Sequence, residues 1–193
     1  MEPTRNIPAP SKTERIHDLC RQTGSASPVE IMELLMDGED FPMHGPDHHF
    51  LIGAALLTSY ANSGGQIDLE TALAEMEKRS KQVPGGACGY WGACGAAISA
   101  GMFISIVTGS TPIKNQEWKL SNLMTASALQ TLGEIGGPRC CKRNGFLAVQ
   151  TACRFAQEHL QVSMSCPEKL ICHYSPRNPQ CIKERCPFHS NVS

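Results

Sequence analysis

Ala93-Cys94-Gly95-Ala96-Ala97-Ile98-Ser99-Ala100-Gly101-Met102-Phe103-Ile104-Ser105-Ile106-Val107 is the longest apolar stretch of this 193-residue chain. It carries no charge, no proline and no alternation of period two, so it predicts a helix rather than a strand. Fifteen residues are too few to cross a bilayer, which takes about 20. Rich in Gly, Ala and Ser, the stretch predicts a buried core helix. The segments on either side carry helical signals too. On the N-terminal side, Asp68 can cap a helix through Leu69, Ala72, Leu73 and Met76 to about Gln82, broken by Pro84-Gly85-Gly86. Before it, Asp47 can cap a helix from His48 to Ala61 that ends ahead of Gly64-Gly65. Ser27-Pro28-Val29-Glu30 offers an N-cap, a first-turn proline and a capping-box glutamate for a short helix stopping near Gly38. A first helix is predicted over Glu14 to Gln22, and two more over Glu117 to Leu132 and Asn144 to Leu160. No segment reads as a convincing strand. The expected fold is all-α: a bundle of about six helices forming a single domain over 13–193, with a flexible Pro-rich arm over 1–12. The tail after Val162 lacks periodicity, so something other than a core must order it.

Charge and composition exclude several classes. With 17 basic against 18 acidic residues, the chain has no global electrostatic case for nucleic acid or an anionic membrane. Its first 15 residues hold charges and three prolines but no apolar leader, so a cytoplasmic location is expected. Hydrophobic residues at 41% suffice for one core, which leaves ten cysteines without a stapling role. Metal or thiol chemistry is the better expectation. Cys20 and Cys153, isolated within helical patterns, are expected to be ordinary core residues.

Three segments concentrate the other cysteines. Gly86-Ala87-Cys88-Gly89-Tyr90-Trp91-Gly92-Ala93-Cys94-Gly95 repeats a Gly-Ala-Cys-Gly frame and places Cys94 near a helix N-terminus, where a thiolate is favoured. The plainer alternative for this stretch is tight helix packing. Arg139-Cys140-Cys141-Lys142-Arg143 surrounds adjacent thiols with cations that lower a thiol pKa from about 8.5 or neutralise an anionic cluster. Adjacent cysteines do not comfortably ligate one metal, so one should face the site and the other the core. Cys172, Cys181 and Cys186, separated by eight and four residues, lie in the unpatterned tail over about 165–189, with Cys166 upstream. A metal would order that tail. Iron–sulfur is the first expectation and zinc the alternative, since His173 and His189 lie beside cysteines.

Met43-His44-Gly45-Pro46-Asp47-His48-His49 sets three imidazoles on a turn. On one helix His48 and His49 point about 100° apart and cannot both face one site squarely. His44 and His48 are the candidate acid/base pair. Even numbers of helices separate the histidine turn, Cys94 and Cys140, so an antiparallel bundle should bring all three to one end, with the tail folded over them.

On these four stretches, 43–49, 86–97, 136–143 and 178–188, the chain resembles an uncharacterised family of cysteine-rich proteins of anaerobic bacteria and methanogenic archaea, a domain of unknown function. The resemblance covers roughly residues 40–188 and implies an anaerobic cytoplasmic setting, with no activity to carry over. Cys94-Gly95-Ala96 is also loosely similar to redox-active proteins named for a Cys…Gly-Cys-Ala-x-x-Gly…Cys…Cys pattern. Their upstream cysteine has no counterpart here, and His48-His49 stand in that place.

The expected function is therefore that of an iron–sulfur protein, most simply 4Fe–4S, acting as a sulfur transferase or lyase in sulfur transfer, desulfuration or elimination. His44, His48, Cys94, Cys140 and Arg139 are the catalytic candidates. Cys88, Cys141 and Arg143 would bind the cofactor, and Cys172, Cys181 and Cys186 the metal. The substrate would be a small molecule or a sulfur carrier, with a methyltransferase or radical enzyme as a possible partner. The rivals are a non-catalytic electron-transfer or redox-sensing module, and a structural zinc protein that docks on an enzyme.

Overall fold

A computed structural model describes residues 10–38 and 41–190. Within them the chain is all-helical, with no strand. The helices are α1 (Lys12–Gln22), α2 (Pro28–Met36), α3 (Asp47–Asn62), α4 (Leu69–Ser80), α5 (Ala87–Tyr90), α6 (Gly95–Thr108), α7 (Gln116–Ile135) and α8 (Cys141–Leu160). Two 3-10 turns, Ser175–Arg177 and Lys183–Arg185, follow in the tail. That is eight α-helices rather than about six. The four-residue α5 lies inside the Gly-rich loop, where one turn has no periodicity to read.

Local chemistry explains the helix starts. Ser11 and Glu14 form a reciprocal capping box, Ser11 N–H donating to the Glu14 carboxylate at 2.7 Å. Residues 11 and 12 thus belong to the start of α1 rather than to the expected arm, whose residues 1–9 lie outside the described ones. Ser27 caps α2 as expected. Asp47 does not cap α3: it is the first helical residue, and the N-cap is Pro46.

Helix α3 is central and apolar on nearly every face, with Phe50 to Tyr60 buried throughout. A helix hydrophobic all round must be enclosed, and α1, α2, α4, α6 and α8 all pack on it. Helix α6, the stretch that decides the fold, is wedged among α3, α4, α7 and α8. Its small residues permit this. A Cβ added at Gly101 would lie 1.8 Å from Thr125 Oγ1 on α7, so only glycine allows that approach.

Cys20 and Cys153 are buried core residues, as expected. The tail differs from expectation because it brings its own apolar anchors. Met164, Tyr174, Ile182 and Phe188 are buried, and the Phe188 and Tyr174 rings pack on Phe146 of α8 at 5.6 and 6.4 Å. The Tyr174 hydroxyl donates to Asp37 at 2.8 Å, pinning the tail beside the end of α2. These anchors sit singly among polar residues, so no helical or strand period reveals them.

Candidate functional site

The histidine turn, the Gly-rich loop with the start of α6, and the start of α8 meet around a cavity of about 280 Å³. Cys88, Cys94, Cys141, His48, His49 and Arg139 all line it. Three thiols from two separate segments, Cys88 and Cys94 of the Gly-rich loop and Cys141 of α8, are thus brought together. Cys94 is the N-cap of α6 and Cys141 the first residue of α8. The Cys141 thiol is pushed up by burial, with the neighbouring Cys94, Cys140 and Cys88 thiols adding and a Gly45 N–H opposing. Cys94 Sγ accepts from Asn144 Nδ2 at 3.3 Å. The close approach of α3 and α6 is fixed here by Gly95, where a Cβ would fall 2.1 Å from His49 Nε2.

The adjacent cysteines divide. Cys141 faces the cavity, whereas Cys140 turns to the other side and joins Cys172, Cys181 and Cys186 around a space of about 20 Å³. The tail thiols therefore do not close over the cavity with Cys94. They form a second group, joined to the first by the Cys140–Cys141 step. His44 lies between the two groups. Its Nδ1 accepts from Cys141 N–H at 3.5 Å, and its Nε2 lies 3.1 Å from Asn178 Oδ1, while Asn178 Nδ2 donates to Cys140 Sγ at 3.4 Å. Burial lowers the His44 pKa, and Arg139 and Lys142 lower it further. With both nitrogens engaged, His44 is a strut between the groups rather than a cavity residue.

His48 is similarly committed. Its Nδ1 bonds to Gly45 O and its Nε2 to Lys142 Nζ, each at 3.1 Å. Burial, then Lys142, push its pKa down to about 3, so it is neutral at ordinary pH. His49, not among the expected site residues, is better placed for proton chemistry. Its Nδ1 is held at 3.2 Å from Val83 O, which fixes the tautomer and leaves Nε2 beside Gly95 as an acceptor. Burial lowers its pKa as well.

Lys142 is the least anticipated residue. It is 1% exposed, donates to Pro42 O and His48 Nε2, and lies 5.0 Å from the centroids of both the Phe41 and Tyr174 rings. Among the described residues no carboxylate stands within ion-pair distance of it. Burial pushes it down to about 8, and the Cys141 thiol is the leading opposing influence. Arg143 is committed elsewhere: it donates to Gly136 O and Pro138 O and holds Asn144 Oδ1 at 3.3 Å, so it shapes the loop and aims Asn144 at Cys94. Arg139 is exposed at the cavity edge. Cys166 lies apart from the other tail thiols, hydrogen-bonded to Cys153; that bond and burial push Cys153 up, and the same bond lowers Cys166. Among the described residues no three His, Cys, Asp or Glu side chains are placed so that they could hold a metal ion as they stand.

A model for a family of unknown function, DUF5714, matches residues 16–189. The chain belongs to that family. Both thiol groups and the histidine turn of this DUF5714 protein lie inside the matched span. No curated protein and no solved structure matches the chain. No helix among the described residues is long and apolar enough to cross a membrane.

Proposed function

We propose that this protein is an iron–sulfur enzyme of sulfur transfer, desulfuration or elimination, with its cluster held by Cys88, Cys94 and Cys141. The observation that carries this reading is the meeting of three thiols from two chain segments in one cavity of about 280 Å³, backed by the buried ammonium of Lys142, which has no carboxylate at ion-pair distance among the described residues. Burying a cation is costly, and thiolates or an anionic cluster beside Cys141 would help offset that cost. The cavity is far larger than the ~10–15 Å³ one water needs, so it has room for more than a single ion. Binding would draw the three thiols inward. A cluster with three protein ligands keeps one iron open, where it supplies a Lewis-acid or sulfide-binding position.

The chain's own groups then have separable tasks. His49 Nε2 is a neutral acceptor facing the cavity and can take a proton from a substrate. Arg139 at the edge can hold an anionic group of a small molecule or of a carrier protein's sulfur-bearing end. Lys142, behind His48, supplies fixed positive charge, and Asn144 Nδ2 holds the Cys94 sulfur. Electron transfer alone would use the same thiols but leave His49 and Arg139 without tasks. An anaerobic cytoplasmic setting, with a methyltransferase or radical enzyme as partner, fits this reading. The test is iron, acid-labile sulfide and visible absorption of anaerobically purified protein. Wild type should be coloured and hold both elements, and Cys88→Ser should lose most of them. A colourless wild type without labile sulfide refutes the cluster.

A further inference from the structure

We propose that Cys140, Cys172, Cys181 and Cys186 form a second, separate site, a tetrathiolate centre for a single tetrahedral divalent ion, zinc or iron(II). Tetrahedral all-sulfur sets select these metals. The four thiols surround one enclosed space of about 20 Å³, comparable with the ~10–15 Å³ that one water requires and too small for the multi-atom group proposed next door.

One backbone N–H is aimed at a tail sulfur: Cys181 accepts from Lys183 N–H, two residues onward, at 3.3 Å. Cys140 accepts from Arg143 N–H and from Asn178 Nδ2, both at 3.4 Å. Cys181 adds a 3.1 Å contact to the Ser175 hydroxyl. Donors aimed at sulfur stabilise the thiolate that a metal requires, and hydrogen bonds to ligating sulfur are the outer layer of metal sites. To form the turn at Cys181, Lys183 adopts a φ of +49°, a left-handed conformation that is uncommon for a residue other than glycine. This turn, a helix N-cap and four sulfurs converging on one small space are more than packing needs.

A divalent ion bound by the four sulfurs as thiolates would displace their protons and leave a net charge of −2. Arg143, 3% exposed and next to this space, and the N–H donors offset part of it. The ion would draw the sulfurs inward and clamp both 3-10 turns to the N-terminus of α8.

The site does not depend on the cluster reading, and cobalt distinguishes them. Full-length protein produced in cobalt-supplemented medium should bind a single cobalt ion in this site, with thiolate-to-cobalt charge-transfer absorption and no labile sulfide attached to it. Cys140→Ser and Cys181→Ser should each lower that absorption at least fivefold. Cys88→Ser and Cys141→Ser should keep it. In Cys181→Ser, residues after about 165 should become protease-sensitive while the helical circular dichroism persists, which guards against misreading a misfolded variant. Absorption that survives Cys140→Ser and Cys181→Ser, or a wild type with no thiolate-bound metal, overturns the proposal.

Discussion

The two thiol groups on either side of the Cys140–Cys141 peptide are built from the same residue type to different ends. Around the cavity, Cys88, Cys94 and Cys141 come from three helix starts, have few hydrogen-bond donors, and leave about 280 Å³ of space beside His49 and the exposed Arg139. Around the tail, Cys140, Cys172, Cys181 and Cys186 line about 20 Å³, and Cys140 accepts from Arg143 N–H and Asn178 Nδ2 and Cys181 from Lys183 N–H. An open group with a spare imidazole suits chemistry on a ligand. A tight group with donors on two of its four sulfurs suits a fixed structural ion. Donor count and free volume, rather than cysteine count, separate a reactive site from a clamp.

The sharpest way to break this contrast is by thiol reactivity. In folded, metal-free protein, alkylation should modify Cys94 far faster than Cys20. Burial pushes Cys20 up to about 11, so it holds roughly 100-fold less thiolate than an ordinary thiol at neutral pH, and it is 1% exposed. Site-resolved mass spectrometry of a labelling time course would read this. Equal rates would return the cavity thiols to packing.

A smaller effect concerns Lys142. If its charge answers an anionic centre, Lys142→Met should cost the iron-loaded protein about 3 kcal/mol more than the metal-free protein, because an unpaired buried charge then remains. Denaturant titration of both forms measures the difference, and equal costs would detach Lys142 from the thiols.

The smallest effect is pH-dependent. The folded pKa of His48, about 3, lies below the ordinary value of 6.5. Its contribution to stability is therefore complete above 6.5 and is lost as pH falls toward 3, because only the unfolded chain takes up the proton. Between pH 6.5 and 5.5 wild type should lose about 1 kcal/mol more than His48→Asn in urea unfolding. A matching slope in the variant would show that Lys142 and Gly45 do not hold the ring neutral.

Much of the fold was legible because its signals are periodic or capped: the apolar 93–107 stretch, Ser27 before Pro28, and glycine pairs after helices. The meeting of the histidine turn, Cys94 and the Arg-Cys-Cys segment at one end also followed from helix parity. The side-chain assignments were less accessible. His48 and His49 are neighbours in sequence and both line the cavity, and only packing against Lys142 decides which ring has both nitrogens engaged. Lys142 itself left a trace: it shares a helical face with Phe146, Val149 and Cys153, at spacings of four, seven and eleven, and that face is buried. A lysine in phase with a core stripe marks a buried cation. The partition of Cys140 from Cys141 left no signal beyond their adjacency, and the tail anchors Tyr174 and Phe188 lie in a segment with no period at all.

The central claim is that the Cys140–Cys141 step divides two independent thiol centres, and one paired comparison tests it most directly. Native anaerobic protein, Cys140→Ser and Cys141→Ser would be pulse-labelled with a thiol reagent and the protection of every remaining cysteine quantified. Cys140→Ser should expose Cys172, Cys181 and Cys186 while leaving Cys88 and Cys94 at wild-type protection, and Cys141→Ser should do the reverse. Loss of protection at all of these positions in both variants would contradict the account, showing a single centre in place of two.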